Sequence, residues 1–242
     1  MSDLPSLMRR EIDEIPDAVE RLLSLGSRDI AAVARELANR NPSCLVTVAR
    51  GSSDHICTYL KCASLAVSQS GQSPDIVEMS RSAGAHGALS IALTNAPNSP
   101  LSEASLHTLN IHAGPEHSVA ATKTFVSSAV AGLLLIAEWR GDSALRAAIR
   151  NLPAVLERAI AIDWGEVEHA LTGASSLFTL GRGPAWAISN EAALKFKETC
   201  RLHAESYSSA EVLHGPVSIV GSGFPVLCFA AADAARFDGG ND

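Results

Sequence analysis

Four side chains in one stretch of the chain could move protons on a small polar substrate. Glu191, Lys195 and Glu198 stand four and three positions apart, and His214 follows just before Gly215-Pro216. The stretch from Ala185 to Cys200 is rich in Ala, Leu, Lys and Glu, which predicts a helix, and a helix puts all three charged residues on one face. Carboxylate, ammonium and imidazole together are an inventory for general acid–base chemistry. The same residues have a plainer reading. Two glutamates and a lysine at this spacing are commonly a solvated helix face, and a histidine before Gly-Pro is commonly a loop residue.

The elements that would position these groups can be read around them. Ser176 to Leu180 is a short apolar run stopped by Gly181, as expected of a buried strand. Earlier, Cys44 to Ala49 is a continuous apolar run typical of a central parallel strand. Gly51-Ser52-Ser53-Asp54 follows it, then a helical stretch from about His55 to Ala63. The device repeats: Leu65-Ala66-Val67, then Ser68-Gln69-Ser70-Gly71-Gln72-Ser73-Pro74-Asp75. Pro74 suits a first helical turn and Ser73 the N-cap before it. Backbone N–H groups and hydroxyls at a helix N-terminus favour an anion such as a monoester phosphate, although an ordinary serine-rich loop has the same composition.

Further strands are predicted at Leu89–Asn95 and Leu106–Ile111, and a long, mostly buried helix from about Val119 to Trp139. Glu116 and Lys123 read as a structural ion pair. Leu145 to Ile162 reads as a connecting helix split near Pro153, and Phe224 to Ala230 as a strand. Residues 1–40 read as helical and peripheral, from the spacing of Val19, Leu22, Ile30, Val33 and Leu37.

Composition narrows the function. The chain has 242 residues, 47% of them hydrophobic, and a formal net charge of −7. That suffices for a sizeable core and argues against nucleic acid as the main partner, though a locally positive site can still take an anionic substrate. Cys44, Cys57, Cys62, Cys200 and Cys228 are odd in number and form no Cys-x-x-Cys. They read as buried free thiols in a reducing compartment. The first residues lack the apolar core of a signal peptide, and no apolar run is long enough for a bilayer. A cytoplasmic protein that does not engage a membrane is the expectation. There is no GxxxxGK[ST] and no G-x-G-x-x-G after a strand, so a nucleotide is poorly supported. No Cys/His cluster has metal-ligand spacing, so no metal or cofactor is expected.

The stretch GRGPAWAISNEAALKFKETCRLHAESYSSAEVLHGP (Gly181–Pro216) closely resembles the second domain of the sugar-isomerase (SIS) family. The octet SQSGQSPD resembles that family's phosphate loop, and AGPEHSVAATK (Ala113–Lys123) resembles its segment opening a helix beside the substrate. The resemblance implies an α/β fold of tandem SIS domains, each a parallel sheet flanked by helices in three layers. The expected domains are a helical segment 1–40, a first SIS domain 41–162 and a second 163–242 that is incomplete. Thr, Arg and Gly recur in LVTVARG and LFTLGRG, as a tandem duplication would leave them.

The resemblance also implies site roles. Ser52, Ser53, Ser68, Gln69, Ser70 and Ser73 would bind the sugar phosphate, and Val119 would line the site through its backbone. His214 would open the sugar ring, Glu198 would move a proton between C2 and C1, and Lys195 would steady developing negative charge. The implied partner is a small-molecule sugar phosphate, held in a homodimer with shared sites. The implied reaction converts glucosamine 6-phosphate to fructose 6-phosphate and ammonia. An aminotransferase isomerase module without its glutaminase domain and a non-catalytic sugar-phosphate sensor are the alternatives. The chain departs from the family pattern after Ala63, where a crossover is too short, and after Asp242, where further strands and a C-terminal lysine would follow.

Overall fold

In the first sheet, successive residues of one strand face opposite ways, and the sequence exploits this. Leu65 and Val67, Ile91 and Leu93, and Leu109 point into one apolar cluster. Ala66 and Ala92 point into another, with Ile76, Val77 and Leu101. Strands buried on both faces need a helical layer on each side. A computed structural model describes residues 5–42, 46–49 and 65–231, and the chain divides into two compact units, Met1–Ile162 and Asp163–Asp242.

The sheet of the first unit runs in the order β1-β2-β3-β4, all parallel: β1 Val48–Ala49, β2 Leu65–Val67, β3 Ile91–Thr94 and β4 His107–Asn110. Leu65 stands opposite Ile91, and Ile91 opposite His107. Its helices are α1 Leu7–Asp13, α2 Ile15–Arg21, α3 Ser27–Arg40, α4 Pro74–Ala85, α5 Pro100–Glu103, α6 Lys123–Arg140, α7 Ser143–Arg150 and α8 Leu152–Ile160. A π-helical turn, Leu22–Gly26, joins α2 to α3. The helix break expected near Pro153 is present, with Pro153 in the first turn of α8.

The N-terminal helices are not peripheral, as their position in the chain suggested. Val19, Leu22 and Leu37 are fully buried, and α3 packs along α6 in the main core of this unit. The amphipathic spacing was correctly placed, but it faces the sheet's own core.

The second unit holds α9 Gly165–Leu171, β5 Ser176–Gly181, α10 Pro184–Cys200, β6 His203–Ser208 and β7 Val226–Phe229. The parallel strands run in the order β6-β5-β7. Phe178 stacks edge-on against Tyr207 and Phe224, at centroid distances of 5.0 and 4.9 Å. Leu177, Ala193 and Ala204 close the core between α10 and the sheet.

Two expectations fail here. Cys200 and Cys228 are free but exposed, because Cys200 ends α10 and β7 lies at the edge of the sheet formed by the described residues. The strand β6 was not foreseen at all. Cys44, Cys57, Cys62, and the suspected short-cuts after Ala63 and after Asp242, lie outside the described residues. Among the described residues, no helix is long and apolar enough to cross a membrane.

Candidate functional site

The loop Ser68–Ser73 leaves the carboxyl end of β2 and enters α4, where a ligand belongs in a parallel α/β sheet. It is folded by its own polar groups. The Ser68 N–H donates to Leu93 O at 3.1 Å. The buried Ser68 hydroxyl accepts the Gly71 N–H at 3.2 Å, which leaves its own proton available to donate. The Gln69 carbonyl accepts from Asn95 N–H and from the Thr94 hydroxyl, at 3.1 and 3.2 Å. Those bonds tie the loop to the end of the neighbouring strand.

Gly71 carries the turn at φ +63°, and a Cβ there would lie 2.0 Å from Ser99 Oγ. Ser99 itself caps α5 and is a buried part of this loop's seat that the sequence reading missed. Gln69 and Ser70 are exposed, and the Ser70 hydroxyl accepts the Gln72 N–H at 3.4 Å. Ser73 occupies the N-cap of α4 with extended backbone, and its hydroxyl makes no capping bond. Gln69, Ser70 and Ser73 therefore present polar groups at the N-terminus of a twelve-residue helix, a setting suited to an anion. Ser52 and Ser53 lie outside the described residues.

Val119 sits in the same unit, on the strap between β4 and α6, and is 99% exposed. Glu116 does not pair with Lys123. Its carboxylate accepts from the backbone N–H of Thr122 and Thr124 and from both threonine hydroxyls, capping the start of α6. Lys123, itself buried, donates to Glu14. The expected pair was seven positions apart in sequence, but a helix N-terminus competes better for a nearby carboxylate than an ammonium does when another partner is in reach.

In the second unit, α10 starts against the end of β5. A Cβ on Gly181 would fall 2.3 Å from Ala185 O, so glycine is required for the first turn to lie there. This closeness sets the helix along the sheet, and Glu191, Lys195 and Glu198 come together as the spacing predicts. Lys195 Nζ lies 3.0 Å from Glu191 Oε1 and 2.9 Å from Glu198 Oε2. Side-chain exposure rises from 7% at Glu191 through 20% at Lys195 to 30% at Glu198. A buried carboxylate needs a counter-ion, so Glu191 fixes the ammonium while Glu198 remains at the solvent side of the row.

His214 ends a 3₁₀ turn, Glu211–His214, anchored by buried Val212. Its side chain is exposed and makes no hydrogen bond or ion pair among the described residues. A cavity of about 320 Å³ lies beside these turns, walled by Leu180, Gly181, Arg182, Ser209, Val212 and Val217. A wider groove of about 900 Å³ runs along α9, α10 and β7, with Lys195 on its wall. Among the described residues, no group of three His, Cys, Asp or Glu side chains is placed to hold a metal ion.

Comparison with known proteins agrees with this geometry. The SIS domain family model matches residues 61–138. A crystal structure from Silicibacter pomeroyi DSS-3, whose protein carries the provisional name phosphosugar isomerase, is 59% identical with a TM-score of 0.92, covering 96% of this chain and 80% of that one. The C-terminal domain of glucosamine-fructose-6-phosphate aminotransferase from Francisella tularensis is 26% identical with a TM-score of 0.79, covering 96% and 78%. A glutamine–fructose-6-phosphate aminotransferase (isomerizing) from Sulfolobus acidocaldarius is 36% identical over 165 residues, 67% of this chain but 28% of that protein. The chain thus spans under a third of the length of that curated relative. A phosphate-loop-like turn after a parallel strand, a charged row on the following unit's helix, and these likenesses across nearly the whole chain agree: it belongs to the SIS-domain family.

Proposed function

We propose that this protein is a phosphosugar isomerase acting as a deaminase, converting glucosamine 6-phosphate and water to fructose 6-phosphate and ammonia. The observation that carries the reading is the row Glu191–Lys195–Glu198, with Lys195 shared between the two carboxylates at 3.0 and 2.9 Å. A solvated helix face would not bury its first member.

In this reading the Ser68–Ser73 loop holds the sugar's phosphate. His214 donates a proton to the ring oxygen as the C1–O5 bond breaks and the C1 hydroxyl gives up its proton to water, leaving the open aldehyde. Glu198 takes the proton from C2 and returns it to C1 through an enolamine, and Lys195 balances the charge that develops on O1. O1 takes a proton as the C2 nitrogen gives one up to water, and the product is an imine at C2. Water adds to it, ammonia leaves, and the ketone of fructose 6-phosphate remains. A carboxylate placed beside a fixed ammonium can act in both directions of such a transfer.

The test is ammonia release from glucosamine 6-phosphate by wild type and Glu198→Gln. Loss of about 10²–10⁴ in kcat is expected if Glu198 carries the proton, with sugar-phosphate binding retained. Equal turnover in the two proteins would remove Glu198 from the mechanism.

A second reading, an aminotransferase isomerase module, draws on the 36% identity to the Sulfolobus acidocaldarius protein. It is favoured instead if the protein forms glucosamine 6-phosphate from fructose 6-phosphate with added ammonia but releases none in the forward assay. Binding without turnover in either direction would point to a sensor.

A further inference from the structure

The strap from His112 to Thr122 has an unusual construction. Backbone-to-backbone hydrogen bonds hold only its ends, from Ile111 N–H to Thr94 O and from Val126 N–H to Thr122 O, and between them the strap is held by side chains. Arg21 donates to the carbonyls of His112 and Ala113, at 3.3 and 3.1 Å. The Asn95 amide donates to Gly114 O at 2.7 Å and accepts from Ala113 N–H at 3.1 Å. Glu11, on α1, accepts the His117 N–H at 2.6 Å and the Ser118 N–H at 3.2 Å. Glu116 then takes Thr122 and Thr124. Val119 lies between the parts held by Glu11 and by Glu116.

Two facts set this apart from ordinary loop packing. Glu11 is only 2% exposed, and burying a carboxylate costs free energy that must be offset by hydrogen bonds. The side chain it brackets, Val119, is 99% exposed and so returns no burial. A costly anchor holds in place a segment whose apex packs against nothing. Fixing backbone that meets a ligand reduces the ordering cost on binding.

We infer that Glu11 is a positioning residue: from α1 it fixes the strap so that the backbone at Val119 faces the sugar phosphate in one conformation. This rests on the proposed function, in which the Ser68–Ser73 loop holds the sugar's phosphate: Asn95, whose amide pins the strap at Ala113 and Gly114, also donates its backbone N–H to the Gln69 carbonyl of that loop, so strap and loop start from one residue. The first helix of the chain is then a part of the site, although the carboxylate and the amides it holds are more than a hundred positions apart.

The experiment compares wild type, Glu11→Gln and Arg9→Ala. Arg9 shares α1 but bonds to Asp13 and to Ile160 O, so its variant loosens the helix without touching the strap. Glutamine keeps the size of Glu11 but sets an NH₂ group against an N–H donor. Two quantities are measured at a temperature where each protein is folded: hydrogen exchange of peptides spanning 112–124, and affinity for fructose 6-phosphate and for inorganic phosphate by calorimetry. Glu11→Gln is expected to exchange faster across 112–124 alone and to bind fructose 6-phosphate roughly tenfold or more weakly, with inorganic phosphate unchanged. Arg9→Ala is expected to match wild type in both. If wild type binds fructose 6-phosphate and Glu11→Gln binds it equally well, the positioning role is overturned and the proposed function stands. If wild type binds no sugar phosphate, the proposed function fails and takes the role with it. Faster exchange spread through α1–α3 in Glu11→Gln, with equal loss of phosphate affinity, would make Glu11 a structural residue and also overturn the inference.

Discussion

Glu11 shows how one buried charge can be read by pH. Burial pushes its carboxyl up, but the N–H groups of His117 and Ser118 and the charge of Lys123 pull harder, and the net value lies below the ordinary 4.5. A carboxylate lowered in the folded state stabilises fully above about pH 4.5, its unfolded value, and that contribution is lost as pH falls through the folded value. Glu11→Gln is therefore expected to flatten the acid side of the stability curve, while the slope near neutrality stays as in wild type. Thermal unfolding at stepped pH measures it. Glu11→Ala takes the acceptor from two partly exposed donors, the N–H groups of His117 and Ser118, and is expected to cost about 1–3 kcal/mol in all.

Nothing local in the sequence pointed to Glu11 or Arg21, since their partners lie far along the chain. The row on α10 was legible because helical periodicity is local. The supposed Glu116–Lys123 pair shows the limit: nearness in sequence was the signal, and helix capping together with a distant glutamate decided the partners.

At the level of elements, the turns after β2 and β5 are fixed by steric closeness. Gly71→Ala must be accommodated at a positive φ and against Ser99, and Gly181→Ala against the carbonyl of Ala185. Each is expected to destabilise its unit by about 1–3 kcal/mol, the range for overpacking, seen as a lowered denaturant midpoint with unchanged m. Gly71→Ala should also weaken sugar-phosphate binding, since it moves Ser70 relative to α4. The strands β2, β3 and β5 were legible in sequence for the reason that their faces are buried, and β7 for its apolar run alone, since Val226 and Cys228 are exposed. The strand β6 was not. His-Ala-Glu-Ser-Tyr-Ser has one fully buried side chain, Ala204, and lies at the edge of the described sheet, where polar residues suffice. The serine loop was legible as a helix N-terminus, but its dependence on Ser99 and Asn95 required the register of β2 on β3.

At the level of the whole molecule, the two units are joined through residues 161–166, all exposed. Such a segment is a preferred site of proteolysis. Brief trypsin-free digestion with a broad protease is expected to cut there first and leave a resistant fragment ending near Ile162, identified by intact mass. Its resistance would follow from the core that α2, α3 and α6 share with the first sheet. The α/β class was readable from strand–turn–helix repetition. The part played by residues 1–40 was not, because amphipathic spacing tells which face of a helix is apolar but not what covers it.

The π-helical turn at Leu22–Gly26 has a consequence for kinship. Leu22 and Ile30, both in the core, are eight positions apart, and a regular helix at about 100° per residue would turn them some 80° out of line. The wider turn absorbs one surplus residue, so the faces before and after it stay aligned. A relative whose helix runs straight through should therefore be one residue shorter at this place and nowhere else nearby. Aligned chains would show a single-position gap among residues 22–26, the mark of an old insertion that the fold accepted without moving its core.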